Sequence, residues 1–199
     1  MQDIINRAKA VMRQPRKFFK SLKESGVKPA FRYFAILSAV QLVLSLVIST
    51  SFHIKGTGLG DTFANLSPQA SLSFLVLSLA LGYVLGLGLS FVWAGILHLY
   101  IRLCGGKQIY SKTYQLSTYA STPSLLLGWI PFVGFIASIG SLVLLIVGTQ
   151  EVHKVSKKKA ILMYVIPVAL FTVLWLAMLA VFLSIAHTNP EIAKLIAQQ

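Results

Sequence analysis

Ser71 to Leu103 is a stretch of 33 residues with no charged side chain before Arg102. As a helix it is about 50 Å long at ~1.5 Å per residue, against a hydrocarbon core of ~30 Å. A run like this has to be shielded from water, and it is long enough to cross a bilayer with turns to spare. Small residues recur along it at every fourth position: Ser78, Gly82, Gly86, Ser90 and Ala94, with His98 next. Such spacing lets helix backbones approach closely where lipid supplies no hydrophobic drive for association. The stripe drifts about 40° per step, so it is expected to receive one neighbour near Ser78–Gly86 and another near Ser90–His98. On that reading the segment is the central packing helix of a membrane bundle, and a bulky substitution at Gly86, where the two contacts meet, is expected to hurt more than one at Ser78.

The composition agrees. Apolar residues make up 56% of the chain and charged residues 12%, and the mean hydropathy is +0.75. Soluble domains carry about 25% charged residues, so a polytopic membrane protein is expected. The net charge of +13 raises the question of nucleic acid. The cations flank the apolar runs, however, which is the positive-inside pattern and not a nucleic-acid-binding one. One cysteine, Cys104, excludes an internal disulfide and a CxxC pair.

Residues 1–29 carry eight cations and no continuous apolar core, so they do not read as a signal peptide. Ile4, Ile5, Ala8, Val11, Met12, Phe18, Phe19 and Leu22 recur at helical spacing. Pro15 divides the segment, and two basic amphipathic helices lying in the headgroup plane are expected. Spans follow at about 30–51, 71–103, 114–130, 132–150 and 160–186. Thr113 to Gln150 holds no charge over 38 residues, about 57 Å as one helix, and Gly128-Trp129-Ile130-Pro131 breaks it into a hairpin. A re-entrant pair is the alternative. Pro123 is expected to kink the first leg, with Ser and Thr side chains satisfying the freed carbonyls. Gly105-Gly106 ends the long helix. With five spans and a cytoplasmic N-terminus, 16 Lys+Arg lie inside and two, Lys55 and Lys194, outside. The predicted fold is therefore an all-α polytopic bundle of five transmembrane helices. It sits in the cell membrane, with a basic N-terminal amphipathic segment and a C-terminal tail, 187–199, on the outer side.

His98-Leu99-Tyr100-Ile101-Arg102-Leu103-Cys104-Gly105-Gly106-Lys107 leads into Thr113-Tyr114-Gln115 and Tyr119-Ala120-Ser121-Thr122-Pro123. After Trp129-Ile130-Pro131 comes the exit Val147-Gly148-Thr149-Gln150-Glu151-Val152-His153-Lys154. In this order, and with Pro15-Arg16-Lys17-Phe18-Phe19 ahead of the first span, the chain resembles the prokaryotic branch of the Yip-domain family. That family belongs to the Rab/Ypt-interacting-protein superfamily. The resemblance implies five spans and a cytosolic N-terminus. Eukaryotic members are associated with Rab-type GTPases, vesicle trafficking and membrane shape through a longer N-terminal region. The short basic segment here argues against a GTPase partner.

No catalytic residues, cofactor or metal are expected. Asp3, Glu24, Asp61, Glu151 and Glu191 are scattered, and none of the histidines has metal-ligand spacing. Arg13, Arg16, Lys17, Lys20, Lys23, Lys157, Lys158 and Lys159 are candidate lipid-headgroup ligands. His98, Arg102, Glu151 and His153 form a candidate cytoplasmic polar cluster in which Arg102 and Glu151 pair. The expected partners are anionic membrane lipids and either a second copy or another membrane protein, with no nucleic acid. The function expected is a non-enzymatic membrane organiser or adaptor; a passive transporter, channel or lipid scramblase is the alternative.

Overall fold

The computed structural model describes residues 2–51 and 68–188. The expected loop after the first span and the tail from 189 on lie outside the described residues. The described chain is helical, in the order α1 (Gln2–Arg13), α2 (Pro15–Lys20), α3 (Lys28–Ser51), α4 (Pro68–Leu103), α5 (Tyr110–Ala120), α6 (Thr122–Leu127), α7 (Val133–His153) and α8 (Lys157–Thr188). Among the described residues, four helices are long and apolar enough to cross a membrane: Lys28–Ile48, Val76–Leu103, Val133–His153 and Lys157–Ile185. Two of them, α3 and α8, open on a lysine, and α4 closes just after Arg102.

The chain divides into two compact units, Met1–Ala160 and Ile161–Gln199. From Ile161 the second unit is helix through Thr188, with Pro167 inside it. Leu162, Phe171, Trp175 and Met178 are among its exposed apolar side chains.

In the first unit the stretch expected as one span at 114–130 is two short helices of 11 and 6 residues. The break comes at Ser121, ahead of Pro123. Proline has no N–H to offer the carbonyl four residues back, which is that of Tyr119. Thr122 Oγ1 donates to that oxygen at 2.6 Å and Ser121 Oγ donates to Ser117 O at 2.8 Å. The freed backbone is thus satisfied by hydroxyls, as expected, though at a break instead of a kink. Every residue from Thr113 to Ala120 is buried, including Thr113, Gln115, Ser117 and Thr118.

The expectation that the long helix is central is therefore corrected. Within Val76–Leu103 the most apolar window contains no buried residue, and α5 takes the central place, touching α1, α3, α4, α6 and α7. The physical reason is polarity. α5 carries hydroxyls and an amide that lipid cannot satisfy, whereas α4 loses nothing by facing acyl chains.

Candidate functional site

The N-terminal segment is where sequence and structure differ most. Part of its apolar side, expected to dip into lipid, is packed on protein, while Ile5 and Met12 stay exposed. Ile4, Ala8 and Val11 of α1 and Phe19 of α2 are buried, with α1 against α5 and α6 and α2 against α7. Phe19 sits against Gly148, where an added Cβ would collide with Leu116 and crowd the Phe19 ring. Phe18 meets Tyr119 edge-on at 5.1 Å between ring centroids.

Polar side chains fasten the same segment. The Arg7 guanidinium pairs with Asp3 and Glu24 and donates to Tyr119 Oη at 3.0 Å. Tyr119 Oη in turn donates to Glu24 Oε2 at 2.7 Å. Burial works against the Arg7 charge, but Tyr119 and Asp3 outweigh it and hold the guanidinium above its ordinary value. Lys112 Nζ donates to the carbonyls of Leu22 (2.9 Å) and Glu24 (2.8 Å). Gln115 Nε2 donates to those of Glu24 (3.2 Å) and Gly26 (2.5 Å). Burial pushes the Lys112 ammonium below its ordinary value. Sequence reasoning missed Arg7, Glu24, Lys112, Gln115 and Tyr119 as a set. The available signal was Glu24, one of two carboxylates, with Asp3, in a segment of eight cations.

The candidate headgroup ligands Arg13, Arg16, Lys17, Lys20, Lys23, Lys157, Lys158 and Lys159 are all exposed. The N-terminal segment, the Gly105-Gly106 loop and the exit of α7 meet at one end of the first unit. Lys112 reaches the 22–24 carbonyls, the Lys159 ammonium lies close to Gly105, and Gly106 packs on His153. Gly105 takes φ +89° and Gly106 N donates to Ile101 O at 2.8 Å, the glycine helix stop the sequence predicts.

The polar cluster is partly assembled. His98 Nδ1 lies 2.8 Å from Thr113 Oγ1, which lies 3.1 Å from His153 Nε2. One hydroxyl thus bridges the two rings and joins three helices. His153 Nδ1 is buried without a hydrogen-bond partner among the described residues. The expected Arg102–Glu151 pair is absent: among the described residues the ion pairs are those of Arg7. Thr113 and Gly106 fill the space between the ends of α4 and α7, leaving Arg102 exposed and Glu151 half-exposed.

The small-residue stripe divides in two. Ala94 is buried, Ser90 Oγ lies 3.1 Å from Tyr114 Oη, and Tyr110 Oη donates to Phe91 O at 2.9 Å. This lower half receives α5 as its neighbour. Around Gly82 and Gly86 an added Cβ would meet nothing within 4 Å. With Ser78 they instead line a furrow of about 380 Å³ against Ser38, Gln41 and Ser45 of α3. The close approach expected there is not made.

No group of three or more His, Cys, Asp or Glu among the described residues is arranged to hold a metal ion.

Comparison with protein families matches residues 9–178 to the Yip1 domain. The chain belongs to the Yip1 family. No curated protein and no solved structure matches it. With its four apolar helices, this Yip1 domain is a multi-pass membrane protein. The match begins at Lys9 and so takes in α2 and the 21–27 segment, the parts seated on α5 and α7. The docked N-terminal segment is thus largely contained in the Yip1 domain itself.

Proposed function

We propose that this Yip1-family protein is a non-enzymatic membrane organiser or adaptor that holds anionic lipid against its cytoplasmic end and associates with other membrane helices. One observation carries the reading. The exposed cations of α2 sit on a segment fastened to the bundle, at the end where the loop cations after α4 and α7 also lie. A fixed patch keeps its charges together at the headgroup level, each contributing about 1 kcal/mol of attraction to an anionic leaflet. In this reading the N-terminus is cytoplasmic, the α5–α6 leg completes a fifth crossing, and the C-terminus is outside the cell membrane. The long exposed face of α4, with Gly82 and Gly86 open, suits contact with a second copy or another membrane protein.

The furrow favours a second reading, passive movement of lipid or solute. Gln41 lies about 20 Å along α3 from Lys28 and makes no hydrogen bond among the described residues. An unsatisfied amide at that depth is costly. Reconstitution in vesicles separates the two. The organiser reading expects salt-sensitive enrichment of anionic lipid around the protein, reduced when Arg13, Arg16, Lys17 and Lys20 become Gln, with no flux of labelled lipid or solute. Flux above protein-free vesicles, abolished by Gln41→Leu, would overturn it.

A further inference from the structure

Lys28 and Arg32 stand one turn apart at the start of α3, whose first turn contains no acidic residue. Positive charge is disfavoured at a helix N-terminus, and like charges at this spacing repel. Neither side chain has an ion-pair or hydrogen-bond partner among the described residues. Both are exposed, yet they do not stand alone on the surface. With Arg7, Ser25, Asp3 and Tyr33 they line a cavity of about 410 Å³ bounded by α1, the 21–27 segment and α3. Arg7 is already answered by Asp3 and Glu24, which leaves two uncompensated cations on the cavity wall. Local electrostatics that oppose the fold without an evident compensation mark a site where something else is bound.

We propose that this cavity binds the phosphate of an anionic lipid headgroup, with Arg32 and Lys28 as its charged ligands and the Ser25 hydroxyl as a further donor. A guanidinium offers the paired donors that phosphate oxygens accept. Lys28 opens a membrane-spanning helix, so the cavity lies at the level where lipid phosphates sit. A soluble phosphate ester shares this chemistry, and the test separates the two sources. The inference rests on the reading that this end meets anionic lipid. It assigns a discrete site apart from the exposed cations of α2.

The test is native mass spectrometry of the full chain released from phosphatidylcholine nanodiscs doped with phosphatidic acid. Lipid enrichment in the same nanodiscs is measured in parallel. Wild type should retain one phosphatidic acid per chain. Lys28→Gln and Arg32→Gln should each weaken retention about tenfold, the scale of one lost charge-assisted hydrogen bond. Arg32→Lys should recover part of it, and the exposed Lys28 supplies a variant that leaves the packing untouched. The variant with Arg13, Arg16, Lys17 and Lys20 neutralised should lose general enrichment yet keep the single retained lipid. Unchanged retention in both α3 variants, with enrichment intact, overturns the site alone. Absence of both retention and enrichment in wild type overturns the site and the organiser reading together. Displacement of the lipid by inorganic phosphate would assign the cavity to a soluble ligand and overturn the lipid assignment.

Discussion

The Tyr119 hydroxyl accepts from Arg7 and donates to Glu24, so three side chains from three segments share one junction. Groups joined this way do not act independently. Tyr119→Phe and Glu24→Gln should each lower stability in detergent by about 1–3 kcal/mol. The double mutant should lose clearly less than the sum, and additivity within error in a thermal-unfolding cycle would show that the junction is not cooperative. Glycines make the second residue-level case. At Gly106 a Cβ would collide with Ile101 and crowd His153, and at Gly148 it would collide with Leu116. Alanine at either should cost about 1–3 kcal/mol through overpacking. Gly86→Ala should be neutral or stabilising by up to about 1 kcal/mol, since its surroundings are open and alanine favours helix. The melting temperatures of the three variants rank the sites directly. The four-residue spacing alone pointed to Gly86 as a sensitive position.

Among the elements, α2 depends on one anchor. Phe19 is 2% exposed and is the buried residue of its helix. Phe19→Ala should remove about 3–5 kcal/mol of packing and release the segment. Hydrogen exchange should then lose protection across α1 and α2 while α7 keeps its own. Lys112 supplies a pH test at the same joint. Its lowered pKa means that the folded state disfavours the proton, a cost present at neutral pH and relieved as pH rises through that pKa towards the ordinary lysine range. The stability of wild type relative to Lys112→Gln should therefore improve as pH rises from neutral towards the ordinary lysine range. Much of this level was legible in the sequence. The long helices and the Gly128–Pro131 turn follow from charge-free length and from backbone chemistry. The identity of the central helix did not follow, because small-residue spacing says that a helix can be approached and not that anything approaches it. The better indicator was the polarity of Thr113, Gln115, Ser117 and Thr118, which have to be shielded from lipid. Likewise, helix ends on one side suggested an Arg102–Glu151 pair, but pairing needs side-chain directions that the residues between them decide.

For the whole molecule, the gathering of cations at one end makes a topological expectation. With Cys104 replaced, single cysteines at Lys23, Lys107 and Lys154 should react with an impermeant thiol reagent from the cytoplasmic side only. A cysteine in the C-terminal tail should react from the other side; if the α5–α6 leg does not cross, the four remaining spans would instead put position 154 outside and the tail inside. The buried, hydroxyl-rich α5 also bears on how the chain is made. A segment so polar has little tendency to enter lipid by itself, and its partners α6 and α7 are synthesised after it. It should therefore wait at the insertion machinery until α7 emerges and enter with it as one hairpin. Insertion of the centre of this protein then depends on a helix that the ribosome has yet to finish.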